Sequence, residues 1–354
     1  MGNNRFQYLD ALRGLAALIV VFHHAEIASW GSPMVGKTCV YIFFLLSGFV
    51  LTYKYLGVPH QSTRIIMAIV KRPFRLFGIT AAAVIIGSVC NYQLLVDVYR
   101  HILKFGAENP FALAVIVIGP LWTMETEICG SFLVFMVCLI VQRQLFSRRL
   151  IVDLLIFIVF YKLGSFAMMA FILGMACADV YKHLNNHLST ELIAIASLTC
   201  GLAVYSENTA LMTWLQDSGI IFLLPNLHFV AAVGIFVGIV FLPVLHPTLS
   251  WRPLLWLGRI SFSLYAIHWI FVVILHPRIL AACHQQLTYA WSVEITASIA
   301  AAWMLTKYVD EPCIKLSGVI ADRIVNPGPV TPKQSVAVKS TPVSIGDHAL
   351  QSSK

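Results

Sequence analysis

Apolar runs follow one another almost without interruption from Leu9 to about Val309, broken only by short polar connections. A helix crosses the hydrocarbon core of a bilayer with roughly 17 to 25 apolar residues, because its backbone groups must all be satisfied within the segment. Windows of that kind fall near 9–29, 36–56, 76–95, 121–142, 150–161, 163–181, 191–206, 228–245, 254–276 and 289–309. The pattern predicts an all-α fold, a polytopic transmembrane helical bundle of about ten spans. The fifth window is short and only Lys162 and Gly164 divide it from the sixth. The stretch 111–119, FALAVIVIG, is too short to span and reads as a re-entrant piece or an extension of the fourth helix.

From Asn326 onward the chain is rich in Pro, Ser, Thr and Val with no aromatic residue, and it cannot build a core. The expected organisation is one membrane domain over 1–325 and a disordered cytoplasmic tail over 326–354. No second catalytic domain is expected, so any chemistry is completed within the bundle or on a partner protein. Composition supports this: 59% of the 354 residues are hydrophobic and 11% charged, with a mean hydropathy of +0.81. The first apolar stretch carries Arg13, His23, His24 and Glu26 and lacks a small-x-small cleavage site, so it reads as a retained span rather than a signal peptide.

A formal charge of +8 in a membrane chain reports orientation before it reports nucleic acid. With the N-terminus inside, about 19 of the Lys and Arg residues collect on the cytoplasmic side and about five outside, which puts both termini in the cytoplasm. The heaviest contribution comes from the connection between spans two and three, with Lys54, Arg64, Lys71, Arg72 and Arg75. The eight cysteines show no CxxC or Cys/His spacing, which argues against zinc or an iron-sulfur cluster. No internal repeat is evident, which weakens a reading as an inverted-repeat transporter.

Ionisable groups inside spans are costly and face the bundle interior, so each is a candidate functional residue. Arg13 and His24 are eleven residues apart, close to three helical turns, and share one face ~16 Å apart along the axis. In LWTMETEICG, Glu125 and Glu127 lie two apart and point to roughly opposite sides, so only one enters a given pocket. In LGRISFSLYAIH, Ser261, Tyr265 and His268 follow i, i+4, i+7 and form a polar stripe. At ~1.5 Å per residue, His24, Glu127 and His268 fall at a common depth in the outer half of the bilayer, with Arg13 nearer the cytoplasmic side. The expected arrangement is a cationic inner mouth leading to a His/Glu cluster.

The segments YLDALRGLAALIVVFHH, YIFFLLSGFVLTY, KRPFRLF, LWTMETE, ISFSLYAIH and DEP occur in that order over residues 8–312. In this the chain resembles the acyltransferase-3 family of integral membrane O-acyltransferases. The resemblance implies transfer of an acyl group, most often acetyl from acetyl-CoA, to a hydroxyl of a glycan or other small acceptor. It places the family's arginine and histidine of the first span on Arg13 and His24, and its basic pair before the third span on Arg72 and Arg75. Its W-[ST]-L-x-x-E glutamate falls on Glu127, with Met124 in place of leucine, and its S-L-Y-x-[IL]-H histidine on His268. Ala11 stands where glycine is common, and EICGS replaces an aromatic-rich run.

On these residues the expected mechanism has His24 as general base, Glu127 holding its tautomer and stabilising the imidazolium that forms, and Arg72 and Arg75 holding the nucleotide of an acyl-CoA whose arm passes Arg13. Transient acylation of His24 is an equal route. Ser261, Tyr265 and His268 are candidates for substrate contact. No cofactor is permanently bound and no metal is called for; acetyl-CoA is the acyl donor. The partners implied are the lipid bilayer, a glycan or lipid-linked glycan, and a partner protein of a polysaccharide pathway, with no nucleic acid. The location implied is the bacterial inner membrane and the process surface-polysaccharide O-acetylation. A small secondary metabolite is the next acceptor class. The rival classes are a proton-coupled transporter, which would show uptake without acyl-CoA turnover, and a b-type cytochrome using His24 and His268, which would be coloured.

Overall fold

The computed structural model describes residues 6–25, 34–55, 61–91, 117–141, 143–183, 188–206 and 226–325, with isolated positions within 93–100 and 213–218. The proposed tail, most of the apolar stretch 111–119 and most of the 207–217 loop lie outside these residues. Every element described is helical, as the apolar pattern predicts. The helices are α1 (Gln7–His24), α2 (Met34–Tyr55), α3 (Gln61–Cys90), α4 (Trp122–Val141), α5 (Phe146–Lys162), α6 (Phe166–His183), α7 (Leu188–Tyr205) and α8 (Leu227–Phe241). After them come α9 (His246–Leu249), α10 (Arg252–Trp269), α11 (His276–Ala282), α12 (Leu287–Leu305) and α13 (Glu311–Val325).

Four segments are long and apolar enough to cross a membrane: Val35–Tyr55, Ser62–Cys90, Gly119–Val141 and Arg252–Ile274. A fifth results if Leu227–Phe241 and Pro243–Leu249 are taken together, although the chain bends by 83° between them. That bend corrects the straight window 228–245: Pro243 has no amide hydrogen to continue the ladder, and α8 ends before it. The windows 150–161, 163–181, 191–206 and 289–309 fall on α5, α6, α7 and α12, of 17, 18, 18 and 19 residues. A second correction concerns the basic connection after α2. Helix α3 begins at Gln61 and runs 30 residues through Pro73, so Arg64, Lys71, Arg72 and Arg75 belong to its first half rather than to a loop.

The break between α5 and α6 shows how sequence sets a reversal. Gly164 adopts φ +68, and Ser165 N–H donates to the Phe160 carbonyl (3.0 Å) while Gly164 N–H donates to that of Tyr161 (3.0 Å). This is a Schellman closure, which needs a residue tolerant of left-handed backbone. At the start of α8, Asn226 Oδ1 accepts from Phe229 N–H (3.1 Å) and its Nδ2 donates to Tyr41 Oη (2.9 Å), capping one helix and tying it to α2.

Helix α2 is central: it packs on α6, α8, α1 and α4. Helix α1 packs chiefly on α10, α7 on α8, and α3 on α4 and α13. Small residues permit the closest approaches. A Cβ on Gly14 of α1 would lie 2.5 Å from Gly258 N of α10, and one on Gly174 of α6 would strike the Leu45 carbonyl of α2. Tight helix contact through glycine is how bundles associate in lipid, where apolar burial supplies no driving force. Large apolar side chains point outward along the helices, among them Ile85, Val89, Ile140, Leu154 and Leu155.

Candidate active site

Helices α1, α2, α3, α4 and α10 enclose a cavity of about 710 Å³ whose wall also includes Lys182 and Asp310. Six cationic side chains line it: Arg13, Lys54, Arg72, Arg75, Lys182 and Arg259. Among the described residues three carboxylates face them, Asp10, Glu127 and Asp310. The cations are graded in depth. Lys54, Lys182 and Arg259 are exposed and Arg75 is 42% exposed, while the Arg72 side chain is 14% exposed. The aromatic rings of Phe6, Phe43, Phe44, Tyr53 and Phe262 complete the lining. The result is a cationic mouth narrowing to a partly apolar interior, as the sequence leads one to expect.

At depth, Glu127 forms an ion pair with Arg72 and accepts from Ser47 Oγ (2.5 Å). Arg72 Nε donates to Ser131 Oγ (2.9 Å). A buried charge must be paired and its remaining lone pairs satisfied, and here three helices share that task. The pairing differs from the sequence expectation that Glu127 would orient His24: Glu127 clamps Arg72. Glu125, two residues earlier, is exposed, which bears out the division of the two glutamates to opposite sides.

The deep end of the cavity is closed by Tyr265 and Thr123. The Tyr265 hydroxyl donates to the Pro120 carbonyl (3.2 Å), and the Thr123 hydroxyl lies 3.0 Å from the same carbonyl and 3.2 Å from Tyr265 Oη. Ser261, one turn earlier on α10, donates to the Gly258 carbonyl (2.8 Å). Ser261, Tyr265 and His268 are all buried, so the predicted polar stripe is real, and its first two members line the cavity.

His268 lies one turn beyond Tyr265 and is fully buried. Its Nδ1 is 2.8 Å from the Tyr265 carbonyl and 3.3 Å from that of Leu264. Carbonyls only accept, so Nδ1 carries the proton and Nε2 keeps its lone pair. That Nε2 is buried and has no hydrogen-bond partner among the described residues. The His24 ring stacks on it, with centroids 5.3 Å apart and planes at 26°, and meets the edge of Trp269 at 5.0 Å. Gly119 makes room for that indole: a Cβ there would lie 3.2 Å from the ring.

Arg13 and His24 are therefore divided in use. Arg13 lines the cavity and pairs with Asp10 at 3.3 Å, whereas His24 lies beyond the cavity, half-buried against His268. Arg75 pairs at 3.9 Å with buried Asp310 of the DEP segment, and Arg259 pairs with Glu311. Sequence reasoning did not pick out Lys182, Arg259, Ser47, Thr123 or Asp310. Ser47, Thr123 and Asp310 do fall inside the segments YIFFLLSGFVLTY, LWTMETE and DEP, but nothing in spacing along one helix announces a partner on another.

The comparisons with known proteins agree with this site. Residues 6–307, which hold every side chain of the cavity wall except Asp310, match the family model described as an acyltransferase domain. The chain belongs to this acyltransferase family. One similar protein is "Protein 2 in picA locus" of Rhizobium radiobacter, 30% identical over 148 residues, which covers 35% of this chain and 78% of that protein. No solved structure matches significantly. The acyltransferase is thus an all-helical integral membrane protein whose apolar helices surround a cationic cavity.

Proposed function

We propose that this acyltransferase moves an acyl group, acetyl in the first instance, from cytoplasmic acyl-CoA to a hydroxyl of a surface polysaccharide or its lipid-linked precursor. The observation that carries the reading is a cavity with twice as many cations as carboxylates, whose deep end at Tyr265 is one helical turn from a histidine with a free, buried lone pair. Phosphates of a CoA match the exposed Lys54, Arg75, Lys182 and Arg259, with arginine suited to bidentate contact. The apolar stretch between Phe43, Phe44 and Phe262 suits a pantetheine arm passing Arg13. The acceptor enters from the opposite end of the bundle, where His24 is half-exposed.

In the transfer, His24 takes the proton of the acceptor hydroxyl and the oxygen attacks the thioester carbonyl. The tetrahedral intermediate collapses, the C–S bond breaks, and the imidazolium returns the proton to the CoA sulfur. His268, its tautomer held by the Tyr265 carbonyl, stacks its neutral ring against the imidazolium that forms on His24 and so stabilises it. That is the part the sequence reading gave to Glu127. Glu127 instead holds Arg72 in place, a role in donor binding.

Membranes containing the protein, with His24→Ala and His268→Asn variants beside it, are supplied with radiolabelled acetyl-CoA and lipid-linked glycans extracted from the cells of origin. The expected result is label in glycan that both variants lose by about 10²-fold or more. Equal labelling by well-folded variants, or uptake of a solute without thiol release, refutes the reading.

A further inference from the structure

The end of the bundle that holds His24 carries a second polar cluster, which acyl transfer as described above does not use. Glu294 of α12 is fully buried, and its Oε1 lies 2.6 Å from His276 Nδ1. The carboxylate accepts from the Nδ1–H and leaves Nε2 at the other edge of the ring for a ligand. The His276 side chain is 31% exposed, so the ring joins a buried carboxylate to the surface. The other carboxylate oxygen, Glu294 Oε2, and Ser298 Oγ one turn further along α12 are buried and have no hydrogen-bond partner among the described residues. Burying a carboxylate oxygen and a hydroxyl unpaired costs stability, so each such group calls for an explanation.

Backbone geometry points the same way. Directly after His268 and Trp269, α10 passes into a π-helical segment, Ile270–Ile274, and His276 opens α11 immediately beyond Leu275. Single π turns inside helices recur at functional sites because they re-aim the residues that follow. Arg278 donates to the Cys90 carbonyl (3.1 Å), anchoring α11 to the end of α3. Helices α10 and α12 run antiparallel, with Thr306 Oγ1 bonded to Ser263 Oγ (2.8 Å). That register sets Ser298 opposite the π segment, between the levels of His276 and His268.

We propose that His276, Glu294 and Ser298 form a binding site for a polyhydroxylated acceptor, separate from the His24–His268 pair. His276 Nε2 meets one hydroxyl at the surface, and a neighbouring hydroxyl entering beside the π segment meets the Glu294 carboxylate and Ser298. The proposal rests on the acyl-transfer reading for its kinetic consequence, though not for binding itself. A carboxylate oxygen, an imidazole edge and a hydroxyl set close together match the neighbouring hydroxyls of a sugar ring.

The test uses the full chain in detergent. Thiol release from acetyl-CoA without acceptor reads the donor half; transfer to lipid-linked glycans extracted from the cells of origin reads both. The variants His276→Gln, Glu294→Gln and Ser298→Ala are expected to keep donor-only kcat/KM within about twofold and to raise acceptor KM by about tenfold or more. On the unsubstituted protein, those glycans are expected to slow carbethoxylation of His276 by diethyl pyrocarbonate, read by peptide mass. An unchanged acceptor KM in folded variants, or an unprotected His276, overturns the proposal. If the unsubstituted protein releases no thiol from any acyl-CoA, the acyl-transfer reading falls, while protection of His276 would still establish the hydroxyl site.

Discussion

Gly14 is the point at which α1 and α10 meet backbone to backbone, and Gly14→Ala tests whether that contact sets the distance between the histidines. A Cβ on Gly14 would lie 2.5 Å from Gly258 N, 2.8 Å from the Leu257 carbonyl carbon and 3.0 Å from Gly258 Cα. All three are backbone atoms, with no flexible side chain to yield. Restoring ordinary contact requires the helices to separate by about 1 Å, and overpacking of this kind costs about 1–3 kcal/mol. The two helices run parallel from this point, and His24 and His268 each lie ten residues beyond their glycine, ~15 Å further on. Their ring spacing of 5.3 Å therefore widens with the backbone. A misplacement of about 1 Å at reacting groups lowers the rate by about 10²-fold.

Gly318→Ala is the control. A Cβ there meets nothing within 4 Å, and replacing a glycine inside α13 stabilises by up to about 1 kcal/mol. The assay pairs thermal unfolding of the detergent-solubilised protein with acyl transfer at fixed acyl-CoA. Gly14→Ala is expected to melt lower and transfer slowly, and Gly318→Ala to match or exceed the parent in both. A Gly14→Ala protein with the parent's melting temperature and rate would refute the argument that this contact positions the site.

Three further outcomes follow from the charges. Glu127→Gln leaves buried Arg72 without its counter-charge and is expected to destabilise by about 3 kcal/mol, whereas Arg72→Met with Glu127→Leu restores the melting temperature without restoring acyl-CoA binding. Arg75→Gln and Lys182→Gln are expected to raise KM for acyl-CoA with little change in kcat, and the parent's KM to rise with added salt, since these side chains face the exposed mouth. In the separate buried cluster of α5 and α6, Arg149 pairs with Asp179 while both Asp153 carboxylate oxygens go without hydrogen bonds among the described residues. Asp153→Asn is accordingly expected to be neutral or stabilising and Asp179→Asn to lower the melting temperature, read by unfolding of the two proteins side by side.

The helical class was legible along the chain because it rests on a local rule: apolar residues must bury their backbone polar groups in their own helix when no water is at hand. The same locality made the α10 stripe readable, since Ser261, Tyr265 and His268 share a face by spacing alone. Helix ends were less legible. The apolar window 228–245 ran straight through Pro243, where α8 in fact stops short, and the start of α3 at Gln61 was hidden by a run of basic residues that reads as a loop until its side chains are seen lining a cavity from a helix.

What the sequence by itself determined is which residues are too costly to bury without purpose: Arg13, His24, Glu127 and His268. What only the tertiary structure decided is whom each one meets. Depth along separate helices brought Glu127 level with His24, yet azimuth and helix packing turned it to Arg72 and gave His24 to His268. Lys182, Arg259 and Asp310 joined the site from helices and turns remote in sequence, and His276 found Glu294 across the break after α10. Spacing within one helix fixes direction to within a face, but the partner across the gap depends on which helices adjoin and how closely their glycines let them approach.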